Sequence, residues 1–416
     1  MHRSYHPGDV WGVSELRRRL LITLLILAIY RLAAHIPIPG FTPAQLSALQ
    51  GSPLAKGSAF AVANLFTGGA AAAFSVVALG VFPLFQARAL MQTAIELLPA
   101  LQEMRRSPYE ARKLNAWVDY LVPPVALVQA VMGELVLLPA MGFTRESWLG
   151  SLTAVLALTA GAMVVIWLSR LIDENGVGNG PSMILFAGIV TETPFLIWNH
   201  VQGSPRAGLV LALVALVLLV VSIVMQNGQR RIPVEYVRRM RPMGVGTHGR
   251  ARTYLPLRVL PPDISAMETA YSLLPLGGLL MLLLPDSPLT ASIAAAVEQP
   301  LTTALIVFGL VVFLSWGQLA NPTRMEEIAE DLKRQGGMVP GVRYGEQTAR
   351  YLHQVNLRIA LPGVLYVAAY SVLPWLLMPA MGVSEPVYVV LAVPVAASFV
   401  IELMRQTEAE LIIRSY

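Results

Sequence analysis

Cysteine is absent from all 416 residues. Disulfides, thiolate metal sites and cysteine nucleophiles are therefore excluded. Charge is scarce: Asp, Glu, Lys and Arg make up 13% of the chain, about half of what a soluble domain carries. Catalytic signatures are missing as well. No H-E-x-x-H, G-x-S-x-G or Walker loop occurs, and the six histidines (2, 6, 35, 200, 248, 353) show no metal-ligand spacing. The Gly-rich "GVGNG" at 176–180 has neither the Lys-Ser/Thr nor the preceding strand of a phosphate loop, and reads as a tight turn. Neither enzyme chemistry, a metal nor a cofactor is expected.

What the chain has in abundance is apolar sequence. It is 55% hydrophobic, with a mean hydropathy of +0.61. Windows free of Asp, Glu, Lys and Arg run 57–87, 147–169, 207–229, 299–323 and 359–384. Each is long enough for a membrane span, which needs about 20 apolar residues. The reading is an all-α polytopic membrane protein. Leu20–Tyr30 is apolar, but Arg31 follows it and no A-x-A-like site does, so it reads as a first span and not as a cleavable leader. Ten spans are expected, at 19–37, 74–99, 117–139, 149–170, 181–199, 208–227, 264–285, 302–320, 359–379 and 386–404. With the N-terminus inside, 25 basic residues fall on the cytoplasmic side and three, Lys56, Arg145 and Arg206, on the other. That asymmetry places both termini in the cytoplasm. Spans one to five (1–200) and six to ten (201–416) form two halves, an arrangement that encloses a site near the bilayer midplane.

Three segments break the pattern of span and short loop. The first, 57–73 ("GSAFAVANLFTGGAAAA"), is Gly- and Ala-rich and runs into the second span, with a natural break at Gly68–Gly69. It reads as a short helix folded partway into the membrane, which only protein or a water-filled cavity tolerates. The second, 228–258, carries eight arginines and a β-prone "RTYLPLRV", and reads as a protruding hairpin. The third, 321–358, opens with an amphipathic helix that Gly336–Gly337 ends, then a turn at Pro340–Gly341. Among the ionisable groups, Glu134, Glu192 and Glu402 near span ends are expected to pair or snorkel. Arg88 is different. Val81, Phe85, Arg88 and Gln92 share one helix face, a stripe suited to a wall passing from a dry constriction into water. The bland reading pairs Arg88 with a carboxylate inside a packed bundle.

Several blocks together carry a resemblance. They are "ELRRRLLITLLILAIYRLAAHIPIPG" (15–40), "NLFTGG" followed by "ALGVFP" (64–83), "GVGNGPSMILFAGIV" (176–190) and "QRRIPVEY" (229–236). "TYLPLR" (253–258), "NPTR" (321–324), "GGMVPGVRYGEQTARYL" (336–352) and "MRQTEAELIIRSY" (404–416) follow in order. The chain resembles the SecY family, central subunits of the Sec protein-conducting channel. The resemblance implies a clamshell of two five-helix halves around an hourglass pore. It implies a plug containing Asn64, Leu65, Phe66, Thr67, Gly68 and Gly69, and a sealing ring of Val81, Phe85, Leu185 and Val395. Arg88, Gln92 and Glu268 fall at the pore or its lateral gate, between spans two/three and seven/eight.

The same resemblance makes the two large loops a docking platform for the SecA motor and the ribosome. Its candidates are Arg230, Arg231, Arg250, Arg252, Arg343, Gly345 and Glu346, with guanidinium forks suited to phosphates or acidic surfaces. SecE and SecG subunits, signal-sequence-bearing polypeptides and the lipid bilayer complete the implied partners. The implied location is the inner (plasma) membrane. Three departures from the family pattern bear on the gate's energetics, and on whether this is a housekeeping or an accessory member. They are Gln86 and Arg88 in span two, Pro181 in span five, and "VLPPDISAMETAYS" with Asp263 and Glu268 at the start of span seven. Competing classes are a ten-span secondary transporter, which would want facing midplane carboxylates, and a non-conducting insertase or scaffold.

Overall fold

The computed structural model describes residues 14–52, 60, 63–64, 67–106, 108–145, 147–203, 205–236, 253–259, 267, 269–271, 273, 299–320, 323–343, 345–381, 390–391, 393–398, 400–401 and 404–405. The protein is dominated by helices. They are α1 (Ser14–Ala33), α2 (Pro43–Gln50), α3 (Phe82–Leu97), α4 (Pro99–Arg106), α5 (Pro108–Met132), α6 (Trp148–Asn175), α7 (Gly180–Gly203), α8 (Pro205–Asn227), α9 (Pro300–Ala320), α10 (Thr323–Arg334) and α11 (Glu346–Met381). Three strands accompany them: β1 (Gln229–Tyr236), β2 (Thr253–Arg258) and β3 (Gly337–Met338). Four helices among the described residues are long and apolar enough to cross a membrane: Arg112–Ala140, Trp148–Asn175, Gly208–Asn227 and Glu346–Leu377. The seventh expected span lies almost wholly outside the described residues, and the tenth lies partly outside them.

Boundaries shift where backbone chemistry overrides hydropathy. The second span was expected from residue 74, but α3 starts at Phe82. Gly68, Gly69, Phe74 and Gly80 all have positive φ, and left-handed residues cannot extend a right-handed helix. The third is longer than expected. α5 runs through a π-helical turn, Gly133–Leu137, and on to Ala140. The ninth is longer still. α11 begins at Glu346, thirteen residues before the charge-free window, and its 36 residues reach about 54 Å at 1.5 Å per residue. Loss of charge marks where lipid can begin; it does not mark where a helix must.

The hairpin expectation matches the structure. β1 pairs antiparallel with β2, Gln229 opposite Arg258 through Val234 opposite Thr253. What the loop reading did not contain is β3, which pairs Glu235 with Met338 and so joins the two loops in one sheet, ordered β2-β1-β3. Along β1, Ile232 and Val234 turn inward while Arg231, Pro233 and Glu235 face out, the period of two that a half-buried strand requires. Beneath the sheet, α10 presents Met325, Ala329 and Leu332 at helical spacing. Ile232, Val234, Leu257, Met325, Leu332, Val339, Leu352 and Val355 form one buried cluster. Segments that lie some ninety residues apart in sequence are thus one hydrophobic unit, seated on the start of α11.

Candidate functional site

The largest buried cluster gathers apolar side chains from α1, α3, α6, α7, α8, α9, α11 and the described residues near 390–395. All four ring candidates belong to it. Val81, Phe85, Leu185 and Val395 are 2%, 4%, 2% and 8% exposed. Val81 stands at the N-cap of α3, and Phe85 follows one turn on. Leu185 lies in the first turns of α7. The "GVGNG" segment is the turn that aims this helix: the Val177 N–H donates to Thr23 Oγ1 at 3.0 Å and the Gly180 N–H to Asp173 Oδ1 at 2.6 Å. Pro181 sits just inside the helix start, where its missing N–H costs nothing.

The described plug candidates are seated against that cluster. Tyr30, fully buried on α1, donates its hydroxyl to the Thr67 carbonyl at 2.9 Å. Arg31, the next residue, donates to the Gly68 carbonyl. The Asn64 side chain accepts from the Ala72 N–H at 2.8 Å, and Thr67 Oγ1 accepts from the Ala71 N–H at 3.1 Å, which ties Ala71 and Ala72 back to Thr67 and Asn64. Gly68, at φ +62°, lies so close to α7 that a Cβ there would stand 2.5 Å from Gly188 Cα. Leu65 and Phe66 lie outside the described residues. Sequence reasoning missed Tyr30, Arg31 and Gly188 as partners of this segment. The available signal was a glycine pair facing a lone glycine inside the apolar run "SMILFAGIV".

The stripe that enters α3 is mixed in burial. Val81 and Phe85 are buried, Arg88 is exposed and Gln92 half-buried. Arg88 makes no ion pair or hydrogen bond to the described residues, so the carboxylate-paired alternative finds no partner there. Arg88→Ala should therefore leave the melting temperature of the purified protein nearly unchanged, within about 0.5 kcal/mol of wild type. A loss several times larger would place Arg88 in the packed interior. Gln86, two residues earlier, is buried and accepts a hydrogen bond from Gln129 of α5. That pairing explains how a polar residue sits in this helix. Glu268 lies outside the described residues, but its neighbours are tied down. Tyr271 donates to the Ser371 carbonyl at 2.7 Å and stacks on Trp375 at 6.5 Å, and the Tyr370 hydroxyl reaches Met267 Sδ at 2.9 Å.

On the platform, Arg230 and Arg231 project from β1 and are exposed. The Arg231 guanidinium lies 4.8 Å from the Tyr254 ring centroid, a cation–π contact that holds it upright. Arg343 is exposed, in a turn bracketed by Gly341 and Gly345 at positive φ. Its carbonyl accepts from Thr348 Oγ1 at 2.8 Å. Glu346 pairs with Arg350 one turn along α11, at 2.5 Å, because residues four apart on a helix are neighbours. Arg250 and Arg252 lie outside the described residues.

A buried apolar cluster gathered from helices along most of the chain, a segment folded against it and a sheet bearing exposed arginines make up a fold shared with membrane channels that conduct polypeptide chains. Two solved structures share it. One is described as showing that the plug domain of SecY stabilises the closed state of the translocation channel and maintains a membrane seal; it matches with TM-score 0.61 and 15% identity over 94% of this chain and 92% of that one. The other, Sec61 in the canine ribosome–channel complex from the endoplasmic reticulum, matches with TM-score 0.59 and 14% identity over 94% and 92%. In sequence, the protein translocase subunit SecY of Pseudomonas aeruginosa is 33% identical over 421 aligned positions, covering 97% of this chain and 93% of that protein. The SecY family model matches residues 75–400. The chain belongs to the SecY family.

Proposed function

We propose that this chain is the pore-forming subunit of a protein translocase, with ten spans in two five-helix halves, 1–200 and 201–416, embedded in the inner (plasma) membrane with both termini cytoplasmic. The observation that carries the reading is the convergence of Val81, Phe85, Leu185 and Val395 into one buried apolar cluster, beside the turn Thr67–Gly69 held by Tyr30 and Arg31. A collar of bulky apolar side chains excludes ions by dewetting, yet parts around an extended polypeptide. The segment at about 57–73, whose described residues include Asn64, Thr67, Gly68 and Gly69, acts as the plug. Arg88 and Gln92 line the wetted cytoplasmic funnel. The chain does no chemistry of its own, so work comes from the SecA motor or a translating ribosome docked on the platform, with SecE and SecG as companion subunits. A ribosome as partner is supported by the ribosome-bound Sec61 relative.

The test uses vesicles that carry the full chain with its companion subunits. A secretory precursor should become protease-protected when motor and ATP are supplied. Phe85→Gly should make resting vesicles leak halide by about tenfold or more, because dewetting needs bulky walls. Vesicles that never protect the precursor would sink the translocase reading. A Phe85→Gly channel as tight as wild type would move the constriction elsewhere.

A further inference from the structure

A buried ion pair lies on the side that the charge count assigns to the exterior. Arg145, between Ala140 and α6, places Nε 2.6 Å from Glu134 Oε1, and the two side chains are only 7% and 2% exposed. Glu134 comes from the π-helical turn at the end of α5, a local widening that re-aims side chains. The guanidinium covers the Phe41 ring at 4.6 Å and lies 5.8 Å from the Phe143 centroid. Its Nη1 donates to the Pro39 carbonyl at 2.8 Å. Arg145 thus grips the connector between span one and the plug.

That connector is also tied to the far end of the plug. The Ile38 N–H donates to the Phe74 carbonyl at 2.8 Å and the Val76 N–H to the Ile36 carbonyl at 2.9 Å. Phe41 packs on Phe74 at 5.9 Å and on Phe143 at 4.9 Å. The plug loop is therefore closed at its base, and Arg145 fastens that base to α5. Stability alone does not account for the pair. Glu134 Oε2, Arg145 Nη2 and Arg145 Nε find no hydrogen-bond partner among the described residues, so Nε faces Glu134 Oε1 at ion-pair distance without hydrogen-bond geometry. A buried pair left so incomplete is a weak stabiliser that apolar side chains could replace. What apolar side chains could not replace is the directed bond from Nη1 to the Pro39 carbonyl.

We propose that Glu134 and Arg145 are positioning residues: a clasp that fastens the Pro39–Phe41 connector to the end of α5 and so holds the plug in its seat. The inference rests on reading 57–73 as the plug. Removing one member alone strands a buried charge and risks misfolding. The informative variants are the double Glu134→Leu/Arg145→Leu and the conservative Arg145→Lys. Lysine keeps the charge opposite Glu134, but a point charge cannot also lie flat on Phe41 and reach Pro39.

The experiment uses the assembled complex in vesicles and two readouts. One is the rate at which an impermeant maleimide, added from outside, labels Ser75→Cys in this otherwise cysteine-free chain; Ser75 is fully buried beside the connector. The other is resting halide leak. With melting temperature held near wild type, the double variant should label at least about fivefold faster, the low end of a site-to-site coupling, and leak in proportion. Arg145→Lys should fall between. A purely structural pair predicts a double variant that matches wild type in both readouts, and that result overturns the clasp. Faster labelling without leak supports the clasp and overturns the plug reading beneath it.

Discussion

Gly68→Val should give a channel that assembles in the membrane but does not seal. Two independent obstacles meet at this residue. Its φ of +62° lies in a region that costs a Cβ-bearing residue about 1–2 kcal/mol, and a β-branched one more. The larger obstacle is space. The first atom of any side chain would stand 2.5 Å from Gly188 Cα and 3.1 Å from Arg31 Nη1. Gly188 is helix backbone and cannot step aside, so the turn must lift. With it go the Tyr30 bond to the Thr67 carbonyl and the Arg31 bond to the Gly68 carbonyl. On the proposed reading of 57–73 as the plug, resting halide leak should rise by about tenfold or more, because displacing it would leave only the proposed collar to exclude ions. Gly142→Val separates the two obstacles, since Gly142 shares the positive φ of +86° but meets nothing within 4 Å. It should stay tight. Equal leak from both variants would reduce the Gly68 effect to backbone strain, and a sealed Gly68→Val channel would refute the seat.

The contrast between those two glycines shows what one dimension of sequence can carry. The Gly68–Gly69 break was legible because a glycine pair in an apolar run signals special backbone. That Gly68 approaches Gly188 was not, because nothing in a linear pattern pairs positions 120 residues apart. The same limit hid the joint core of the platform. Ile232 and Val234 announced a strand by alternation, and Met325, Ala329 and Leu332 announced a helix by period. Neither pattern says that the strand and helix cover each other. Gln86 was visible as a polar residue out of place, without its partner Gln129. Arg145 was counted as an exterior charge that sets topology, while its grip on Pro39 and Glu134 depends on a π-helical turn that no periodicity announces. Three charge-free windows, 147–169, 207–229 and 359–384, fall on helices long and apolar enough to cross a membrane, but the windows place helix ends poorly. Helix ends follow caps and positive-φ residues, as α3 and α11 show.

The platform yields the second large effect, because its two kinds of residue should fail in different ways. Leu352 is fully buried in the shared core, so Leu352→Asp should collapse sheet and helix together, at about 2–5 kcal/mol or more, with complex recovery falling alongside transport. Arg343 is exposed, and its guanidinium makes no ion pair or hydrogen bond to the described residues. What fixes it is backbone: the turn between Gly341 and Gly345, and the Thr348 bond to its carbonyl. Neither depends on the side chain. Arg343→Glu should therefore fold, insert and assemble as wild type, yet cut motor-driven translocation by about tenfold or more, as reversing a contact charge does at an electrostatically matched interface. The loss should be steepest at low salt, where screening is weakest. Arg343→Lys should recover transport only partly, since an ammonium cannot reproduce a bidentate fork. Precursor protection in vesicles, read against complex recovery for each variant, separates the cases. A docking charge loses transport at full recovery, and a structural one loses both. Arg343→Glu vesicles that translocate at the wild-type rate would leave the arginines of this platform with no duty beyond setting topology.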